Sequence, residues 1–363
     1  MAEDMKRILW ISEFPPEKGA IADYSKHLTK GLADSHGYEI DILTESGEKP
    51  EAPVSGVTVR GEIPRSYNGW AKVLDRDYNG IQIQFPVGRL RYLVARKWLS
   101  RDVPPTLITI HDVPGFQQYS LLFGSFRNLI FLTESTRQEH IAAYPLTERL
   151  RVRNYFTVPY LGIEKSIQDR ITKKHLGIEL DDEATNVVCP GFVHEKKGFH
   201  KVVDALPQLK KKYPDIHITI SGGEHRGHSG DYMSELENSI KQQGLSDDVT
   251  ITGVLPTEDH VNEYIRQADC VVLPFDEITQ SASLAKTLAL GSVPVTTPLP
   301  SLSPLIENYG GVMMEANTIN ALVDAVETAI DSPPTINSTG ILEDLCWEQN
   351  VAAYADIYSR VFK

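Results

Sequence analysis

Short apolar runs alternate along the chain with longer stretches in which apolar residues recur every three or four positions. Residues 6–12, 38–43, 57–60, 80–84, 106–110, 128–132 and 154–158 read as strands, and helical spacing separates most of them. The first helix is the clearest, with Ile21, Tyr24, Leu28 and Leu32 on one face over residues 20–33. A polar interval without periodicity, about residues 164–184, interrupts the scheme. It then restarts, with strands predicted at 186–192, 216–221, 248–252, 269–273 and 293–296 and helices at 198–212, 230–243, 257–267 and 281–290. Such alternation predicts an α/β protein of two Rossmann-like, doubly wound parallel-sheet domains, residues 1–165 and 166–346, facing a central cleft. Ligands of these sheets collect beyond the carboxyl ends of the strands, so the loops found there hold the candidate chemistry.

Size and composition narrow the class. A chain of 363 residues is long for one core, and 41% hydrophobic with 23% charged residues is the balance of a soluble globular protein. No apolar run reaches the roughly 18 residues of a membrane span, and the start, MAEDMKRILW, lacks a signal-peptide layout, so a cytoplasmic protein is expected. Cys189, Cys270 and Cys346 are isolated in apolar contexts, which predicts buried thiols and neither a disulfide framework nor zinc. Charge is uneven: residues 1–170 carry 22 Lys+Arg and 21 Asp+Glu, whereas residues 171–363 carry 14 and 28. The acidic second half argues against nucleic acid as a partner.

The most informative loop precedes residue 282. In ADCVVLPFDEITQSASLAKTLALGSVPVTTP, an apolar strand stops at Pro274, polar residues run from Asp276 to Ser281, and Leu284, Leu288 and Leu290 open a helix that Gly291 closes. Free N–H groups and the positive helix end near Ser281 would face an anion at the strand edge. In PGFVHEKKG, Lys197 just before Gly198 is predicted to contact a ligand diphosphate, while Lys196 reads as a solvated turn residue. Gly19 in the first loop serves either turn geometry or close approach of a ligand, and the absence of G-x-G-x-x-G leaves a dinucleotide without support. His111 follows a strand, where it can exchange a hydrogen bond with a sugar hydroxyl while Asp112 either orients it or serves a local capping or turn role. The glycine-rich segment 221–232, with His225, Arg226 and His228, reads as an exposed flexible loop or a lid, not a metal site. Residues 88–101, GRLRYLVARKWLSR, form either a core-packed helix with a basic face or a peripheral contact with an anionic membrane surface.

With these loops in place the chain resembles the GT-B glycosyltransferases of family 4. The resemblance is carried by KRILWIS with KGAIADYSKHL, TIHD at 109–112, FLTES at 131–135, VPYLGIEK at 158–165, GFVHEKKGFHKVVDAL at 191–206 and the segment ending VPVTT. It implies retaining transfer of a hexose from a nucleotide-diphosphate sugar to a glycan, lipid-linked or small-molecule acceptor, with no required metal or other cofactor. The second domain would bind the donor and the first the acceptor, and the tail LCWEQNVAAYADIYSRVF resembles a final helix, 347–363, that packs back on the first domain. His111 and Lys197 would be catalytic. Donor contacts would come from Gly19, His194, Lys197, Gly222, Gly223, Glu277, Gln280, Ser281, Ala282 and Ser283. The chain departs from the family where its E-x7-E pair falls on Ile278 and Lys286 and where its arginine after the second domain's first glycine is Phe192. ITQSASLAKTLALG resembles a subgroup that lacks those glutamates, here with Ala282 for the subgroup's glycine. A non-catalytic GT-B protein binding a nucleotide or a partner transferase stays open beside an active enzyme, as does an epimerase or phosphorylase of the same fold.

Overall fold

The computed structural model of the chain describes residues 6–17, 19–85, 103–111, 128–143, 154–159, 162–173, 176–224, 231–278 and 280–362. The basic stretch 88–101, Asp112, His225, Arg226 and His228 lie outside the described residues. The chain divides into two compact units, Met1–Gly162 with Leu345–Lys363, and Ile163–Asp344.

The first unit is built on seven parallel strands: β1 (Arg7–Ile11), β2 (Glu39–Thr44), β3 (Val57–Glu62), β4 (Gly80–Phe85), β5 (Thr106–Ile110), β6 (Asn128–Phe131) and β7 (Asn154–Thr157). They lie in the order β3-β2-β1-β4-β5-β6-β7, so the direction of winding reverses between β1 and β4. Helices α1 (Ala20–His36), α2 (Tyr67–Leu74) and α3 (Glu134–Ala143) belong to this unit. Because parallel strands are covered on both faces, they read as near-continuous apolar runs. In β4 all six residues are buried, and two of them are glutamines, Gln82 and Gln84.

The second unit begins with α4 (Ile167–Lys173), where no helix is predicted. Only Ile167 and Ile171, one turn apart, are buried, which is too few to register as a periodic pattern. Tertiary bonds hold the helix: the Gln168 amide donates to Ala289 O at 2.7 Å, and Arg170 pairs with Glu164 and Asp259. There follow β8 (Thr185–Pro190), a 3₁₀ turn (Glu195–Lys197), α5 (Phe199–Leu209), β9 (Ile216–Ser221), α6 (Tyr232–Gln242), β10 (Val249–Ile251), α7 (Glu258–Gln267), β11 (Cys270–Leu273), α8 (Ala282–Leu290) and β12 (Pro294–Thr296). The unit closes with α9 (Ser303–Tyr309), β13 (Val312–Met313), α10 (Ile319–Asp331) and α11 (Ser338–Asp344). Its six parallel strands run β10-β9-β8-β11-β12-β13, which places the reversal between β8 and β11. Val187, Cys189, Ile218, Ile220, Cys270 and Val272 point to one face of this sheet and pack with Phe199, Val202, Leu206, Leu322 and Val326. Cys189, Cys270 and Cys346 are free buried thiols, and burial raises the pKa of Cys270 to about 12.

The chain then returns to the first unit as α12 (Trp347–Val361). Asn350, Val351, Tyr354, Ala355, Ile357 and Tyr358 form its buried stripe, the spacing of a helix that presses one face on a core. Three glycines make room for it. A Cβ on Gly31 would sit 2.4 Å from Val351 Cγ2, so α1 and α12 approach more closely than any larger residue permits. In the same way Gly162 accommodates the Trp347 indole and Gly80 the Phe362 ring.

Candidate active site

The second unit's candidate residues gather where its winding reverses. The loop after β8 starts at Gly191, whose φ of +116° is a backbone conformation that L side chains rarely adopt. Its N–H donates to Ser221 O at 3.1 Å, and Val193 N–H donates to Gly223 O at 2.8 Å, so the loops after β8 and β9 are bonded together. Gly222 and Gly223 belong to this packing: a Cβ on Gly222 would lie 2.1 Å from Gly191 O, and one on Gly223 2.6 Å from Val254 N.

Lys197 ends the 3₁₀ turn, half-buried, with its ammonium 4.5 Å from the centre of the buried Phe275 ring. That cation–π contact offsets part of the cost of removing the charge from water. Desolvation nevertheless lowers the pKa to about 8, and among the described residues Lys197 forms no ion pair. Its neighbours are different. Lys196 pairs with Glu277, and Lys201 bonds Pro274 O at 3.1 Å, Asn317 Oδ1 at 2.8 Å and the Asp276 carboxylate. Lys201 thereby ties the loop after β11 to α5, a role the sequence reading missed. Gly198, at φ +68°, completes the junction, since a Cβ there would lie 2.1 Å from Pro274 O.

Ser281 is the N-cap of α8, its buried hydroxyl accepting from Leu284 N–H at 3.1 Å. The first turn of a helix leaves N–H groups without intrahelical acceptors. With Leu284 capped, those of Ala282 and Ser283 carry the positive end of the helix dipole. A Cβ on Gly191 would sit 3.7 Å from Lys197 Nζ and 3.9 Å from Ser283 Oγ, so the ammonium and the helix start flank one point. An anion there would meet a charge, a hydroxyl and main-chain donors at once. The Gln280 amide nitrogen is buried and has no hydrogen-bond partner among the described residues.

Two of the predicted residues, and the lysine at the family's second glutamate position, are engaged in other work. His194 Nδ1 accepts from Lys196 N–H at 3.2 Å, which makes it the cap of the 3₁₀ turn. The Glu277 carboxylate is exposed and held by Lys196. Lys286 pairs with Glu258 of α7, so the position that would match the family's second glutamate is occupied by an internal ion pair.

In the first unit, His111 follows β5 with Nε2 2.8 Å from Gln84 Oε1. The Tyr24 ring meets its ring edge-on, with centroids 5.2 Å apart. Burial lowers the His111 pKa to about 3, so the imidazole is neutral at any physiological pH. Behind it lies a buried polar network. Tyr24 donates to Tyr354 at 3.2 Å, the Tyr354 and Thr109 hydroxyls are hydrogen-bonded at 2.7 Å, and the Gln82 amide donates to Thr109 at 3.0 Å. Gly19 is the N-cap of α1, and a Cβ there would stand 3.1 Å from the Glu13 carboxylate. Gln84 was missed from sequence, although a glutamine in a strand of otherwise buried residues signals a required partner.

Residues 171–340 match the family described as Glycosyl transferases group 1. The chain is 24% identical over 190 residues to the GDP-mannose-dependent alpha-(1-6)-phosphatidylinositol monomannoside mannosyltransferase of Mycolicibacterium smegmatis, a match covering 48% of this chain and 47% of that one. The chain thus spans about half the length of that curated relative. Among solved structures, sucrose-phosphate synthase from Thermosynechococcus elongatus superposes with a TM-score of 0.75 at 16% identity, over 98% of this chain and 99% of that chain. HepE from Anabaena, solved in complex with UDP, gives 0.72 at 16% identity, over 98% and 100%. The two parallel-sheet units therefore have the GT-B fold, and residues 171–340 within it are similar to the glycosyl transferases group 1.

Proposed function

We propose that the protein is a retaining, metal-independent glycosyltransferase that moves a hexose from a UDP- or GDP-sugar to a glycan, lipid-linked or small-molecule acceptor. The second unit binds the donor and the first supplies the acceptor side. One observation carries this reading: of three clustered lysines, 196 and 201 are neutralised by carboxylates, and Lys197 is left beside Ser283 and the start of α8. As the glycosidic bond breaks, negative charge grows on the departing diphosphate, and a preorganised ammonium with N–H donors stabilises that charge more than it stabilises the ground state. His111, neutral, contacts the sugar. The UDP held by one structural neighbour and the GDP-mannose dependence of one relative support a nucleotide-diphosphate donor.

Lys286 in its ion pair and Ile278 at the glutamate positions favour a second reading, a GT-B protein that binds nucleotide without turnover. Calorimetric titration with UDP, GDP and ADP, followed by transfer and hydrolysis assays with the matching sugar nucleotides, separates the two. Nucleotide binding with turnover is expected. Binding without turnover across a broad acceptor panel sustains the second reading, and absence of any nucleotide binding removes both.

A further inference from the structure

Histidine at a sugar site offers two different faces, depending on which ring nitrogen carries the proton. The group bonded to the other nitrogen decides. A carboxylate in that role fixes the tautomer but also draws in a second proton, because it stabilises the imidazolium. A neutral amide oxygen fixes the tautomer and adds no charge. In the first unit the partner of His111 Nε2 is the Oε1 of Gln84, at 2.8 Å. Gln84 is fully buried in β4, the strand next to the one that leads into His111, and its amide lies beside the phenol of Tyr354. The Tyr24 ring, edge-on at 5.2 Å, restrains the imidazole from turning. Nδ1 has no partner among the described residues, and His111 as a whole is only half-buried.

We infer that Gln84 is a positioning residue which holds His111 as the neutral Nε2–H tautomer, leaving the Nδ1 lone pair to accept a hydrogen bond from a hydroxyl of the sugar substrate. The role toward sugar rests on the transferase reading above; the tautomer does not. A site built this way accepts from a hydroxyl and offers no proton to it. It favours sugars that present a hydroxyl at that place over deoxy or O-methylated analogues, which leave Nδ1 unpaired.

Long-range ¹H–¹⁵N spectra of the imidazole rings, at pH 7 on the whole protein, test this without any substrate. His111→Gln identifies the relevant signals among the 11 histidines. The wild type is expected to show Nε2 protonated and Nδ1 as a pyridine-type nitrogen. Gln84→Leu is expected to move both signals to values averaged between tautomers, and Gln84→Glu to keep Nε2 protonated. A protonated Nδ1 in the wild type, or signals unchanged in Gln84→Leu, would overturn the assignment. Once a donor sugar is found, Gln84→Leu should lower kcat at least tenfold with the KM for the donor within threefold. A loss from a merely loosened fold would accompany a lower Tm and would leave the imidazole signals at their wild-type values. If no transfer is detected at all, the tautomer result still stands and the failure belongs to the transferase reading.

Discussion

The two units present opposite electrostatic solutions. In the second, an ammonium and the start of a helix converge beside Gly191, in the half of the chain that carries 28 acidic residues against 14 basic ones. In the first, where charges nearly balance, His111 is neutral, bonded to the Gln84 amide and flanked by the Tyr24 ring. Formal charge summed over a half therefore says little about a site. What matters is the charge left after ion pairing and burial. Lys196 and Lys201 are cancelled locally and Lys197 is not, so an acidic body still offers a cationic point to a ligand.

The sharpest way to break this contrast is Lys197→Ala. It should lower kcat by about 100- to 1,000-fold, the usual loss when one preorganised stabilising group is removed, while the far-UV circular dichroism spectrum stays unchanged. Turnover within threefold of wild type would show that the helix start alone holds the leaving group. Next in size is the pH response. The Lys197 ammonium is present below about 8 and is lost as pH rises through that value. UDP or GDP affinity should therefore weaken by about tenfold per pH unit well above 8, where the nucleotide's own phosphate no longer titrates. His111, with its pKa near 3, should add no ionisation between pH 5 and 8, so an acidic limb in that range would point to another group.

Smaller effects sharpen the picture. Ser281→Ala removes the cap of α8 and should cost about 1 kcal/mol of stability, read as a lowered midpoint in urea, with a modest loss of nucleotide affinity. A stability loss without any affinity change would separate the helix from the anion site. Smallest is Glu277→Gln. An exposed ion pair is worth roughly 0–1 kcal/mol, so titration calorimetry should find nucleotide affinity within threefold of wild type. A tenfold fall would place Glu277 among the donor contacts.

Much of the scaffold was legible because parallel strands announce themselves. The runs predicted at 106–110 and 216–221 are β5 and β9 to the residue, and the glycine after the 281–290 helix is its left-handed C-cap. Elements fixed by tertiary contact were not legible. α4 carries two buried isoleucines and depends on bonds from Gln168 and Arg170, and β13 is two residues long. In the sites, a helix start near Ser281 followed from local chemistry, although Ser281 caps that helix where it was predicted to be its first residue. The engagement of His194 with its own turn, of Glu277 with Lys196 and of Lys201 with Asn317 did not. Those outcomes depend on where a long side chain finds its partner, as far as 116 positions away for Lys201, and spacing does not encode that.

The return of α12 to the first unit bears on how the protein is made. The ribosome delivers Met1–Gly162 early, but Tyr354, which bonds the hydroxyl of Thr109, and Val351 and Phe362, which fill the space left by Gly31 and Gly80, arrive only after all of Ile163–Asp344. At about 5–20 residues per second, that interval is roughly 10–40 s. During it the nascent first unit lacks the residues that cover this apolar seam. Chaperone demand during translation should accordingly concentrate on the half that begins first and finishes last.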